Sequence, residues 1–367
     1  MADGSGYNLA VLPLHRGRRS SAAAATWLLL GAAAAAAAQE PTPAAFGGEV
    51  EVRRIVTEVR VVGPDGEPFL GLGPQDFEVE VAGARAEVES ISWVPTTAGA
   101  AAAATAASAG KAAAPPEPEG RLIAVLFQVD PAFHASRTSG LLRMTPKAAE
   151  FVAGLGPEDR VALLVFRSHL QLRADFTDDH QAVADMLTPS RILQGRRARP
   201  GPDGPSLAAH LDAGEARDAA SMAAALELIG TALQPIPGPK SLVLFGYALG
   251  RMTAGPWITI DDGYRRAMEA LTAARTSVFA LDITDADFHS LERGLRTVSD
   301  DTGGIYVKTH EFPRLAMAKL GRVISSYYEL SIIPPPGLGD EYTIEVRVRR
   351  PQTEVHVRQH HAASWMF

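Results

Sequence analysis

Residues 121 to 166, RLIAVLFQVDPAFHASRTSGLLRMTPKAAEFVAGLGPEDRVALLVF, decide the fold. Leu122 to Val129 is a continuous apolar run, and Val161 to Phe166 repeats it. A strand covered on one face alternates polar with apolar residues; a strand covered on both does not, and parallel strands are the kind buried that way. Between the two runs, Ala148, Phe151, Val152 and Leu155 recur at helical spacing until Gly156. Thr145-Pro146 reads as an N-cap followed by proline at the first helical position. The segment is therefore a strand, a helix and a second, parallel strand.

The same rhythm continues downstream. His180 to Leu187 reads as a short helix, Gly195 to Gly204 as an exposed loop carrying Arg196, Arg197 and Arg199, and Glu215 to Leu233 as a helix. Pro235, Pro237 and Pro239 lead into a strand at Ser241 to Phe245, then a helix around Asp262 to Ala274 and a strand at Ser277 to Asp282. Asp287 is placed to cap a helix running to about Ser299, Gly303-Gly304 open a strand through Val307, and Phe312 to Ile324 carry a last helical stripe. This alternation predicts an α/β domain over residues 121 to 326: an open, doubly wound, mostly parallel sheet flanked by helices.

Both flanks change character. From Val50 to Val62 and again from Phe77 to Ile91 the pattern is strand-like, with Gly63-Pro64-Asp65-Gly66 as a turn signal between hairpin strands and a second turn near Gly83. At the other end come Tyr327 to Ile333, Tyr342 to Arg349 and Glu354 to Arg358, with Ile344, Val346 and Val348 alternating cleanly against polar neighbours. Either set alone is a thin sheet needing a partner, so residues 39 to 95 and 327 to 360 are expected to complete one small all-β, sandwich-like unit. Residues 96 to 120 are almost entirely Ala, Thr, Ser, Gly, Pro and Glu and read as a linker; residues 361 to 367 read as a tail.

The first residues set an expectation about compartment. Arg16, Arg18 and Arg19 precede an uncharged run from Ser20 to Ala38, with small residues at its end and Gln39-Glu40-Pro41 after it. That is the plan of a signal peptide, so export to the periplasm, the cell surface or the medium is expected, with residues 1 to 38 removed. An uncleaved membrane anchor is the rival reading, weakened because most of the run is alanine. The net charge of −7 and the lack of a long basic stretch argue against a nucleic-acid partner. The absence of cysteine removes disulfide frameworks and Cys-ligated metals.

Taken together, Val61 to Phe77, Phe151 to Phe166, Val278 to Ile283, Ser299 to Val307 and Tyr327 to Arg358 resemble a von Willebrand factor A (VWA) domain protein, and in particular the exported VWA-like proteins of acidobacteria. The resemblance covers roughly residues 50 to 360 and implies a metal-dependent adhesion site at the C-terminal edge of the sheet. Such a site uses Asp-x-Ser-x-Ser after the first strand, a later threonine and a further aspartate, because a small hard cation wants six oxygens in near-octahedral array. Here Asp130 matches the first aspartate, but the serine positions are Ala132 and His134, and Tyr247 stands where the last aspartate belongs. Only Ser221 or Thr231 is available for the threonine. The site is thus expected to be degenerate, with Asp130 a remnant ligand and neither Mg²⁺ nor Ca²⁺ as cofactor.

Other polar groups have plainer readings. Asp282, Thr284, Asp285 and Asp287 could gather calcium beyond a strand end, against which stand a helix cap and a turn. Asp130, His134 and Ser136 invite comparison with a hydrolytic triad but lack a Gly-x-Ser-x-Gly elbow. His356, His360 and His361 read as an exposed end. With no P-loop, dinucleotide fingerprint or His-Glu-x-x-His, no enzymatic activity and no small-molecule substrate are expected. The expectation is a protein-binding, adhesion-type module that meets an unidentified protein partner through Asp130, His134, Tyr247 and Asp282. The alternative is a structural component of a cell-envelope assembly that makes its contacts through the β unit.

Overall fold

The computed structural model describes residues 53–95, 120–193, 204–252, 258–260 and 263–362. The signal-like segment, most of the linker and the Arg196-Arg197-Arg199 spot lie outside them. Strands β1 (Ile55–Val62), β2 (Phe77–Val81) and β3 (Ala84–Pro95) come first. Then follow β4 (Leu122–Gln128), α1 (Ala135–Ala153), β5 (Arg160–Phe166), β6 (Leu170–Thr177), α2 (His180–Met186), α3 (Pro189–Leu193), α4 (Ala213–Asp218), α5 (Met222–Leu233) and β7 (Lys240–Gly246). A two-residue ribbon, β8 (Arg251–Met252) with β9 (Ile258–Thr259), precedes α6 (Tyr264–Ala273), β10 (Thr276–Asp282), α7 (Glu292–Asp301), β11 (Tyr306–Lys308) and α8 (Pro313–Val323). The chain closes with β12 (Ser326–Ile333), β13 (Glu341–Val348), β14 (Glu354–Val357) and β15 (His360–Ala362).

The continuous apolar runs form a six-stranded sheet ordered β11-β10-β7-β4-β5-β6, parallel throughout except where β6 returns antiparallel to β5. Its two faces belong to separate cores. Ala124, Leu126, Leu242 and Leu244 point to the side covered by α5 and α6, while Ile123, Val125, Phe127 and Phe245 point to the side covered by α1 and α8. Phe127 and Phe245 stack with centroids 4.4 Å apart. The expected α/β architecture is present.

The antiparallel unit is also present, in a different form. The terminal strands interleave edge to edge in one sheet, β14-β1-β12-β3-β2-β13-β15, rather than facing each other across a sandwich. Val59 pairs with Tyr328 on one side and Val357 on the other. Laid flat, five inter-strand spacings of about 4.8 Å would separate β13 from β14 by about 24 Å. The five-residue turn of residues 349 to 353 spans at most about 20 Å, so the sheet must curl toward closure. Its inner face, with Val59, Val61, Phe77, Val79, Tyr328, Leu330 and Ile344, becomes a core of its own.

Several local expectations are corrected. The Gly63-Pro64-Asp65-Gly66 turn folds the chain back only as far as a single antiparallel bridge, Val62 to Pro68, with the Phe69 amide donating to the Val61 carbonyl at 2.8 Å; the long partners of β1 are β12 and β14, and the extended hairpin is β2-β3, turning at Ala82-Gly83. Helix α1 begins at Ala135, ten residues before Thr145, and encloses Pro146. Proline there deprives the Leu142 carbonyl of its helical donor, which is tolerable because Leu142 lies on the outer face, 46 % exposed. Thr145 turns inward instead of capping, its Oγ1 donating to the Leu141 carbonyl at 2.6 Å. The span from Glu215 to Leu233 is broken into α4 and α5 at the Ser221 cap, and β6 had no counterpart in the pattern reading. Asp287 does not cap α7, which starts after Leu291. His356 is largely buried in β14 rather than lying on an exposed end.

Candidate functional site

At the C-terminal edge of the parallel sheet, the loops after β4, β7 and β10 carry Asp130, Tyr247 and Asp282. Gln128, the last residue of β4, holds the edge together: its side-chain oxygen accepts from the Tyr247 and Ala248 amides at 2.9 and 3.0 Å. Helix α1 lies so close that a Cβ on Gly140 would sit 1.4 Å from the Ile283 carbonyl oxygen. Only glycine permits this approach. It lets the Ser136 carbonyl accept from the Asp285 amide at 3.2 Å and fixes the first turn of α1 over the edge.

Asp130 is buried and fully engaged. Its Oδ1 accepts from the Ala132 amide at 2.9 Å, and its Oδ2 meets His134 Nδ1 at 2.5 Å and Arg137 Nη1 at 3.1 Å. The Arg137 guanidinium also lies over the Tyr247 ring, 4.3 Å from its centroid. Burial pushes the Asp130 carboxyl up, but the Ala132 N–H, His134 and Arg137 outweigh it and hold the carboxyl below its usual value. Burial and then the Asp130 charge push the Tyr247 hydroxyl up, so it stays protonated. Three of the expected residues, Asp130, His134 and Tyr247, are thus brought together by Arg137, which no motif in the sequence marks.

These residues do not fit Mg²⁺. A hard cation needs several oxygens, and this cluster offers one carboxylate already bound to a guanidinium, an imidazole and an aromatic ring. The hydroxyls considered for the remaining position are committed elsewhere: Ser221 Oγ accepts from the Ala224 amide as the cap of α5, and Thr231 Oγ1 donates to the Glu227 carbonyl within it.

Asp282 forms a second, separate cluster. Its Oδ1 accepts from the Thr284 amide at 2.9 Å; its Oδ2 receives His289 Nε2 at 2.7 Å and the Tyr306 hydroxyl at 2.8 Å. Burial raises the Asp282 carboxyl and these partners, His289 foremost, more than reverse it. Asp282, His289 and Glu292 place ligand atoms within 4.8 Å of one another, a spacing a metal could use. Lys308 Nζ, however, lies 2.8 Å from Glu292 Oε2 and supplies the local positive charge. Asp285 pairs with Arg143 at 3.0 Å and Ser139 at 3.2 Å, and Asp287 with His310 at 2.8 Å, so the acidic residues of this loop spread over separate partners.

The edge also displays aromatic side chains. Phe133 after β4 is 48 % exposed, Phe288 after β10 is 73 % exposed and Phe312 after β11 is 61 % exposed. Phe133 adopts φ +54, a left-handed conformation that costs a non-glycine residue of order 1 kcal/mol. Arg167 stacks against its ring at 4.8 Å.

No protein-family model and no curated protein matches the chain. Among solved structures, it is similar to an aerotolerance-related membrane protein from Bacteroides fragilis (14% identity, 56% of this chain and 98% of that one, TM-score 0.38). It is also similar to a von Willebrand factor type A protein from Catenulispora acidiphila (8% identity, 86% and 74%, TM-score 0.38). A third is the ArnB paralog VWA2 from Sulfolobus acidocaldarius (9% identity, 84% and 76%, TM-score 0.36). The fold class itself rests on the strand order and register above.

Proposed function

We propose that this chain is an exported, non-catalytic, VWA-like protein-binding module whose recognition edge works without a metal ion. The observation that carries this reading is the Arg137 guanidinium on Asp130: a covalently tethered cation neutralises the carboxylate that a divalent ion would otherwise bridge to a ligand. Tyr247 beneath it is a better interface anchor than a cation ligand, and rigid aromatics such as Phe133, Phe288 and Phe312 are the side chains that dominate binding when a partner covers them. Large apolar groups exposed on loops gain free energy when a partner covers them. Export rests on the arginine-led, uncharged pattern from Arg16 to Ala38. No helix among the described residues is long and apolar enough to cross a membrane.

The test uses the immobilised chain to capture partners from envelope and extracellular fractions of its source. Alanine at Asp130, His134, Tyr247 and Asp282, and serine at Phe133 and Phe288, are compared with wild type, with circular dichroism as the check on folding. The module reading expects at least one folded edge variant to lose the captured protein. Capture that survives all of them moves the contact to the antiparallel sheet, as the envelope-assembly alternative has it. Deleting residues 39 to 95 does not discriminate, because β1 and β3 both pair with β12 and their removal would unzip the sheet.

A further inference from the structure

At the opposite end of the parallel sheet, where β4 and β7 begin, a cavity of about 300 Å³ opens against the antiparallel sheet. Its lining includes Arg60 from β1, Arg121 just before β4, Lys240 and Ser241 from β7, and Tyr327 from β12. Arg121 is neutralised by the buried carboxylate of Asp159. Among the described residues, Arg60 and Lys240 have no carboxylate in direct contact. Arg60, 5 % exposed, donates from Nη1 to the neutral oxygens of Ser277 and Gly303, both at 3.2 Å, and its Nε is buried without a hydrogen-bond partner. Lys240, 3 % exposed, donates to the Ala274 carbonyl at 2.9 Å.

The charge behind this lining does not balance. Arg275 and Arg358 stand nearby, and among the described residues the single buried carboxylate facing all four cations is Glu58, 2.5 Å from Arg275 and 3.5 Å from Arg358. Glu329, which also reaches Arg275, is 39 % exposed and screened by water. Buried charge without a partner is costly, so an interior with this excess is stabilised by an anion that enters from outside. Arginine and lysine together with a serine hydroxyl are the donor set for oxyanion groups.

We infer that this cavity is a binding site for a small oxyanion, a phosphate, sulfate or carboxylate group, held between Arg60 and Lys240. In the free protein, burial and then the Arg275 charge depress the Lys240 ammonium to about 8, and burial and the Arg358 charge depress the Arg60 guanidinium to about 10, against the pull of Glu58. Lys240 therefore loses its proton in an accessible range, which gives the site a signature that surface binding lacks.

The experiment is isothermal titration of the full chain with sodium sulfate, sodium phosphate and sodium succinate, at ionic strength held constant with sodium chloride. The site predicts one saturable event in the millimolar range or tighter for at least one of them, and the preferred anion separates a phosphate or sulfate ligand from a carboxylate one. Sulfate keeps its charge above neutrality, so its affinity should fall at least about tenfold between about pH 7 and about pH 9.5 as Lys240 deprotonates. Lys240→Met should weaken binding by at least the same factor; if that variant does not fold, the pH series on wild type stands alone. No saturable heat with any of the three anions overturns the assignment. So does saturable binding that neither Lys240→Met nor the rise in pH changes.

Discussion

Arg137→Met removes the guanidinium from the recognition edge and keeps most of its apolar volume. The lost pair joins a cation 27 % exposed to a carboxylate 4 % exposed at 3.1 Å. A hydrogen bond to a charged group contributes about 1.5–3 kcal/mol, and the stacking on Tyr247 adds about 0.5–1 kcal/mol at a partly exposed site. Water reaches part of Arg137, and His134 and the Ala132 amide still hold Asp130, so the expected loss is about 2–3 kcal/mol. In a chain of this size that lowers the melting temperature by about 3–5 °C. Urea unfolding measures it, and a double-mutant cycle with Asp130→Asn isolates the pairwise part. A coupling below about 0.5 kcal/mol would refute the reasoning, because exposed ion pairs of no structural consequence give that little. Asp130 would then be open to other cations.

Glu58→Gln leaves Arg60, Arg275, Arg358 and Lys240 without their buried counter-charge. Breaking a buried ion network by removing one partner costs about 3–5 kcal/mol, so the variant should melt roughly 4–9 °C below wild type, read by calorimetry. Gly140→Ala should cost about 3 kcal/mol in denaturant unfolding, since its Cβ meets the Ile283 oxygen and α1 must lift away; the Asp285 amide should exchange with solvent faster for the same reason. His356 gives a pH dependence. Burial foremost, with Arg60 and Lys319, depresses it to about 4 against the pull of Glu354, below its unfolded value near 6.5. Between those values the unfolded chain binds more protons, so stability is full above about pH 6.5 and declines by about 3 kcal/mol as pH falls to about 4. His356→Gln should flatten that part of the profile of denaturation midpoint against pH.

How far the sequence discloses this molecule depends on how local each cause is. The six-stranded sheet is legible because burial on both faces writes itself as unbroken apolar runs at Leu122 and Val161. Strand β6 is not, because Arg173 and Asp175 occupy buried positions in it. Their partners lie far along the chain: the Ile192 carbonyl takes Arg173, and Ser206 Oγ with the Leu207 and Ala208 amides satisfies Asp175. In β1, Glu58 and Arg60 interrupt an otherwise apolar run and point into the seam between the sheets, a placement fixed by the pairing of β1 with β12 and β14. The interleaving of terminal strands has no local signature at all. Asp130, His134 and Tyr247 were identifiable from loop positions after strands, whereas Arg137 was not. Its role depends on α1 starting at Ala135, a start that the Thr145-Pro146 pair disguises and that no Ser, Thr, Asp or Asn cap announces.

The most direct test of a metal-free recognition edge is a thermal melt of the purified full chain in EDTA and then in millimolar Mg²⁺, Mn²⁺ or Ca²⁺, alongside Asp130→Asn. A ligand that binds only the folded state must raise the melting temperature. With Arg137 holding Asp130, wild type and variant should each melt at the same temperature in every condition. A rise with a divalent cation in wild type that Asp130→Asn abolishes would show that the carboxylate binds metal after all, and would contradict the account.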